Sequence, residues 1–320
     1  MPELTGRTAL VTGGARGLGR CHALALARAG AAVLIADIAP MAEEARALVA
    51  QISAEGGRAD YHEGGIDDWA GAGAAVDAAL NAWGGLDIVV NNAGIVRSRL
   101  LVDADPELFM AELRVHVLGT LGVSHHAARH WRERGPAEGR AIINTGSGAG
   151  LFPLHGAGGY AAAKAAIVAL TGVHAAELAS LGVRVNAIAP LGRTPMVASS
   201  ARMAALMPQP DDGFDRHAPE NTSMLVVYLA SARNRFTGRV FGVGGADVAV
   251  YAPFNVIDCI SNGERPWTFE QLVAALHHVK TAVRVDTFEP VGRRERLFPD
   301  PAVTAKLAEA LQASAAETAG

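Results

Sequence analysis

A chain of 320 residues, half of them hydrophobic and 19% charged, can bury a sizeable core and does not have the composition of a disordered segment. Its formal net charge of -4 gives no electrostatic attraction to nucleic acid or an anionic membrane, so neither is expected as a partner. The two cysteines, Cys21 and Cys259, stand in no CxxC or Cys/His ligand spacing, which argues against a disulfide framework or structural zinc and suits a reducing cytoplasm.

Residues 1–7 carry no basic-then-apolar signal pattern, and no uncharged apolar run is long enough to span a bilayer, so a cytoplasmic protein is predicted. Short β-branched or apolar runs then alternate with longer Ala- and Leu-rich stretches. Residues 8–12 precede 18–29, 32–36 precede 41–55, and 88–90 precede 106–134. The rhythm continues through 141–145, a helical stretch over 160–181, the run 183–188, a helix over 220–231 and the run 240–243. Such alternation predicts the α/β class: a single doubly wound domain over residues 1–245, built on a parallel seven-stranded sheet. Glycines at 56–57, 84–85 and 182 stand where helices should stop. Two stretches break the rhythm. Residues 192–219 mix Met196, Val197, Met203, Leu206 and Met207 with a Pro/Asp/Gly cluster at 208–213, which predicts a lid. Past Gly245 the alternation ceases, and residues 246–320 are expected to form a C-terminal extension with helices over 268–280 and 301–313.

Directly after the first strand comes Thr12-Gly13-Gly14-Ala15-Arg16-Gly17-Leu18-Gly19, with a helix following. Glycines there let the backbone turn tightly and approach a pyrophosphate, whose charge the helix N-terminus favours. A glycine run alone is weak evidence, and its place between strand and helix is what gives it force. Asp37 closes the second strand, where a carboxylate can accept both ribose hydroxyls of NAD and repel the 2′-phosphate of NADP. Arg16 pulls the other way, since a guanidinium can meet a phosphate bidentately. A phosphate beside a carboxylate is the costlier arrangement, so NAD(H) is expected in preference to NADP(H).

The strand ending near Thr145 leads into Gly146-Ser147-Gly148, and Tyr160-Ala161-Ala162-Ala163-Lys164 follows. Residues four apart share a helix face, so Tyr160 and Lys164 project to one place. A phenol with an unperturbed pKa of about 10 is a poor base near neutrality, but a nearby ammonium stabilises its phenolate. Tyr160 could then exchange a proton with an alcohol or ketone oxygen that Ser147 holds in position. No GxSxG elbow surrounds Ser147, which counts against a serine hydrolase. His126 and His130 lie four apart on a predicted helix, but no third ligand is evident, so no metal site is expected.

The glycine loop, Asp37, Asn91-Asn92-Ala93-Gly94, Ser147 and Tyr160-x3-Lys164, in this order over roughly residues 5–245, resemble the short-chain dehydrogenase/reductase family. The resemblance implies a Rossmann fold, dimers or tetramers, and oxidoreduction of a small-molecule alcohol or ketone. It also implies that Gly13, Arg16, Gly17, Leu18, Gly19, Asp37, Asn92, Ala93, Gly94, Tyr160, Lys164, Pro190 and Thr194 contact the cofactor. Arg114-Val115-His116-Val117-Leu118-Gly119, Ile188-Ala189-Pro190 with Arg193-Thr194, Ala218-Pro219-Glu220 and Pro266-Trp267-Thr268 are similar to the (3R)-hydroxyacyl-CoA dehydrogenase region of peroxisomal type 2 multifunctional enzymes and their bacterial relatives. That likeness suggests a 3-hydroxyacyl thioester or a steroid-like alcohol as substrate.

Two positions depart from the family pattern. His116 stands where most members have an asparagine that helps hold a proton-relaying water, so it either substitutes in the relay as a catalytic residue or is a packing histidine. The usual Pro-Gly is Pro190-Leu191, and the threonine expected at the nicotinamide amide falls one place early, at Thr194. The rival reading from another class is an NAD(H)-binding regulatory or scaffold protein with attenuated turnover.

Overall fold

Successive residues of the apolar runs point to opposite sides of one β-sheet, and each side has its own core. Val11, Val33, Ile35, Val90 and Ile143 fill one, while Leu10, Leu34, Val89, Ile142 and Val185 fill the other. Burial on both faces accounts for strands that read as continuous apolar runs. The computed structural model describes residues 3–97, 99–152, 154–198, 204–205 and 207–251, with 266, 268, 269, 271 and 274 beyond them.

The strands are β1 (Thr8–Thr12), β2 (Ala32–Asp37), β3 (Arg58–Glu63), β4 (Ile88–Asn91), β5 (Arg140–Thr145), β6 (Val183–Pro190), β7 (Val240–Gly244) and β8 (Asp247–Tyr251). They lie in the order β3-β2-β1-β4-β5-β6-β7-β8, parallel except for β8. Seven parallel strands thus match the expected sheet. The eighth is an addition: past Gly245 the chain makes a hairpin, and Val243 pairs with Val248. β3 has no apolar run because it is the edge strand beyond β2, with Arg58, Asp60 and Glu63 exposed.

Helices α1 (Gly17–Arg28), α2 (Ala42–Ala54), α3 (Trp69–Trp83), α4 (Pro106–Leu113), α5 (Gly119–Arg134) and α6 (Gly158–Glu177) cover the sheet, followed by the short α7 (Pro195–Ala198) and by α8 (Ser223–Ala230). The stretch expected as one helix over 106–134 is divided by a π-helical turn, Arg114–Leu118, which carries His116. Small residues let α5 approach its neighbours. A Cβ on Gly119 would lie 2.7 Å from Ile66 Cδ1, and one on Gly122 2.7 Å from Ala72 Cβ. Strand order reverses between β1 and β4, and their carboxyl ends open the crevice where α/β sheets bind ligands. Met203, Leu206, Trp267 and most of the predicted helices 268–280 and 301–313 lie outside the described residues.

One buried side chain makes stability depend on pH. His22 on α1 is fully buried with Nδ1 2.9 Å from Ser223 Oγ, and burial pushes its pKa from 6.5 down to about 3. Between those values the unfolded chain binds the proton and the folded chain does not. Its stabilising contribution is therefore complete above pH 6.5 and is lost as pH falls towards 3, at up to about 1.4 kcal/mol per pH unit. The urea midpoint is expected to fall between pH 7.5 and pH 5, and to fall less in His22→Gln. An equal drop in both would assign the acid sensitivity elsewhere.

Candidate active site

The glycine loop is built by close backbone approach. Gly13 has φ +61°, and a Cβ there would lie 2.7 Å from Ala93 Cα, so the loop after β1 can lie against the turn after β4 because that position is glycine. Asn92 secures the contact: its Nδ2 donates to the Thr12 and Gly13 carbonyls, both at 3.0 Å. Thr12 Oγ1 accepts from the backbone N–H groups of Asn92 at 3.1 Å and Ala93 at 3.2 Å. Gly19 lies beneath the loop, where a Cβ would strike the Gly13 carbonyl oxygen. Asp37 Oδ2 accepts from the Ala15 N–H at 3.0 Å, placing a carboxylate against the loop from the end of β2.

The other end is assembled from β5 and α6. Ser147 follows β5 and its Oγ accepts from the Ala149 N–H at 3.1 Å, which tightens the turn Gly148–Gly150. A Cβ on Gly150 would lie 2.5 Å from the Lys164 carbonyl carbon, so this turn rests on the α6 backbone. Tyr160 and Ser147 are thereby brought close enough for the serine to act on the phenol. Lys164 is buried; its Nζ donates to the Thr145 carbonyl at 2.6 Å and lies 5.6 Å from the Tyr160 ring centroid. Burial lowers the Lys164 pKa from 10.5 to about 7, so its charge is readily gained or lost near neutrality. The Tyr160 phenol is raised, first by burial, against the Ser147 hydrogen bond that lowers it, with Glu112 adding to the rise.

A single cleft of about 300 Å³ runs between these ends. Gly13, Arg16, Gly17, Leu18, Asp37, Asn92, Ala93, Gly94, His116, Ser147, Tyr160, Lys164, Pro190 and Thr194 all line it. Gly19 alone among the candidates does not, and supports it from below. A continuous cleft with glycine-lined walls and a carboxylate beside them at one end has the features that suit a dinucleotide.

His116 packs edge-on to Tyr160 with ring centroids 5.4 Å apart, and its Nε2 lies 2.7 Å from the Ile95 carbonyl. Its Nδ1 is buried with no partner among the described residues. Burial and then the Lys164 charge lower its pKa to about 3, so the imidazole is neutral. Thr194 Oγ1 accepts from the Val197 N–H at 3.3 Å, capping α7 at the cleft mouth. Arg193 fastens the following segment, pairing with Asp215 and donating to the Met207 and Pro208 carbonyls at 3.1 Å. Sequence reasoning missed Ile66, Asp67 and Ile95 in the lining, along with Glu112 behind Tyr160. No motif marks them, because they come from loops and helix faces brought in by packing.

Comparison with known proteins shows the family. The family model described as short chain dehydrogenase matches residues 7–205. Hydroxyacyl-CoA dehydrogenase ChsB1 of Mycobacterium tuberculosis is 39% identical over 285 residues, covering 86% of this chain and 88% of that protein. The crystal structure of a short chain dehydrogenase from Mycobacterium avium superposes with a TM-score of 0.77 at 38% identity, covering 90% of this chain and 99% of the other. One from Burkholderia cenocepacia, in complex with NADP, superposes with a TM-score of 0.68 at 35% identity over 76% of this chain and 98% of the other. Among the described residues no helix is long and apolar enough to cross a membrane.

Proposed function

The chain belongs to the short-chain dehydrogenase family, NAD(P)-dependent oxidoreductases acting on CH–OH groups, and on that premise we propose that it interconverts a secondary alcohol and a ketone with NAD(H), on a sizeable, partly apolar substrate. The observation that carries this reading is one cleft with Asp37 at one end and Ser147, Tyr160 and Lys164 at the other.

The glycine loop, Asp37, the 92–94 turn, Pro190 and Thr194 would hold the cofactor, which when bound would supply the hydride acceptor or donor. Ser147 holds the substrate oxygen and fixes its distance from Tyr160. Tyr160 accepts the proton of an alcohol as it is oxidised and returns one to a ketone as it is reduced. Lys164 stabilises the phenolate when charged and, tied to the Thr145 carbonyl, keeps α6 aligned with β5. His116 holds the Ile95 loop through Nε2 and packs against Tyr160, which supports a positioning role.

A 3-hydroxyacyl thioester or a steroid-like alcohol is the substrate class best supported. A hydroxyacyl-CoA dehydrogenase is among the relatives, and Ile95, Val115, Met196 and Val197 give the cleft an apolar side. The proposed organisation is a dinucleotide-binding domain over 1–245 with a lid at 192–219, an extension from 246, and a homodimer or homotetramer.

Oxidation of NADH and NADPH with ketones of graded size, including 3-ketoacyl thioesters, tests this reading. Turnover with NADH that rises with substrate size is expected; binding of NADH with no hydride transfer to any ketone would remove it. For Asp37→Ala the ratio of kcat/KM values is expected to move roughly tenfold or more towards NADPH, because the carboxylate that meets the 2′-phosphate is gone. A wild-type protein that already prefers NADPH overturns the cofactor assignment.

A further inference from the structure

Glu112 on α4 is 2% exposed, and among the described residues no cation pairs with it. Removing a carboxylate from water without a counter-ion is costly, so its surroundings must compensate. Oε1 accepts from the Arg97 N–H at 2.6 Å. Oε2 lies against Gly159, where a Cβ would strike it, and Tyr160 is the next residue. Gly159 is in the first turn of α6, where unpaired N–H groups and the positive end of the helix dipole favour an anion. Four residues further along, within the π turn, His116 holds Ile95. The same helical segment therefore grips the loop 95–97 at two points.

We propose that Glu112 is a positioning residue for the reaction: a buried carboxylate that locks loop 95–97 to the start of α6 and so fixes Tyr160 against the cleft. This rests on the dehydrogenase reading and extends it to a residue outside the Ser147, Tyr160 and Lys164 set. The same charge acts on the phenol. Facing Tyr160 are Lys164 from its own helix, His116 from the π turn, Glu112 from α4 and Ser147 from the turn after β5. His116 is neutral, and the Glu112 carboxylate is the neighbouring charge that raises the phenol. Glu112 favours the protonated phenol, the form that donates to a ketone.

With four tyrosines in the chain, the Tyr160 phenolate absorbance can be isolated by subtracting the titration of a Tyr160→Phe protein. In Glu112→Gln the amide oxygen still accepts from Arg97 while the charge is gone. The Tyr160 ionisation is expected to shift to lower pH, and the alkaline limb of ketone reduction to shift with it. Glu112→Ala also loses the clamp, so kcat is expected to fall roughly tenfold with the KM for NADH unchanged, and Gln should restore most of that loss. Unmoved Tyr160 ionisation in Glu112→Gln overturns the proposal, and this holds even if Glu112→Ala fails to fold. The absorbance titration needs no substrate, so a wild-type chain that reduces no ketone sinks the dehydrogenase reading separately from the role of Glu112.

Discussion

A Tyr160→Phe protein is expected to bind NADH as the wild type does and to lose turnover by about 10²- to 10⁴-fold, the usual worth of a positioned acid or base. The ring remains, so its edge contact with His116 and its place on α6 persist. What disappears is the hydroxyl that contacts Ser147 and exchanges the proton with the substrate oxygen. A loss of kcat and kcat/KM together, with unchanged NADH titration by fluorescence, is the pattern of a group acting in the transition state alone. Unchanged turnover would take Tyr160 out of the mechanism.

Gly19→Ala is expected to act at the opposite end of the cleft, weakening NADH binding by roughly tenfold to a hundredfold and lowering the thermal midpoint, as overpacking at about 1–3 kcal/mol would. The added methyl would overlap the Gly13 carbonyl oxygen and lie 2.5 Å from Asn92 Nδ2. Both partners are committed: Asn92 is donating to that carbonyl and to Thr12. The loop must lift, and the N–H groups it presents to a pyrophosphate lift with it. Calorimetric titration with NADH and a melting curve check the two effects together, and wild-type affinity in the variant would mean that the loop does not form the cradle.

The motif residues were legible in the sequence because each answers a local demand. Gly13 needs a positive φ beside β4, and Tyr160 and Lys164 need one helix face. Asp37 was legible as the end of a strand, although its hydrogen bond to the Ala15 N–H was not. Glu112 was invisible: within α4 it looks like any polar helix residue, and only its neighbours from loop 95–97 and α6 make it a buried carboxylate. β8 was missed for a related reason. A five-residue strand with alternate exposed valines, Val248 and Val250, it follows β7 directly by a hairpin, with no helix between them to continue the rhythm.

By itself the order of residues determined the α/β architecture, located six of the seven parallel strands, and singled out Ser147, Tyr160, Lys164 and the glycine loop as candidates, because periodicity and short motifs are properties of neighbours in the chain. Tertiary structure alone decided that these residues share one cleft, that Gly150 lets the serine turn rest on α6, and that His116 and Glu112 hold the loop opposite Tyr160. Those contacts join residues far apart in sequence, and their energies depend on burial and distance, which exist only after the sheet has brought the loops together.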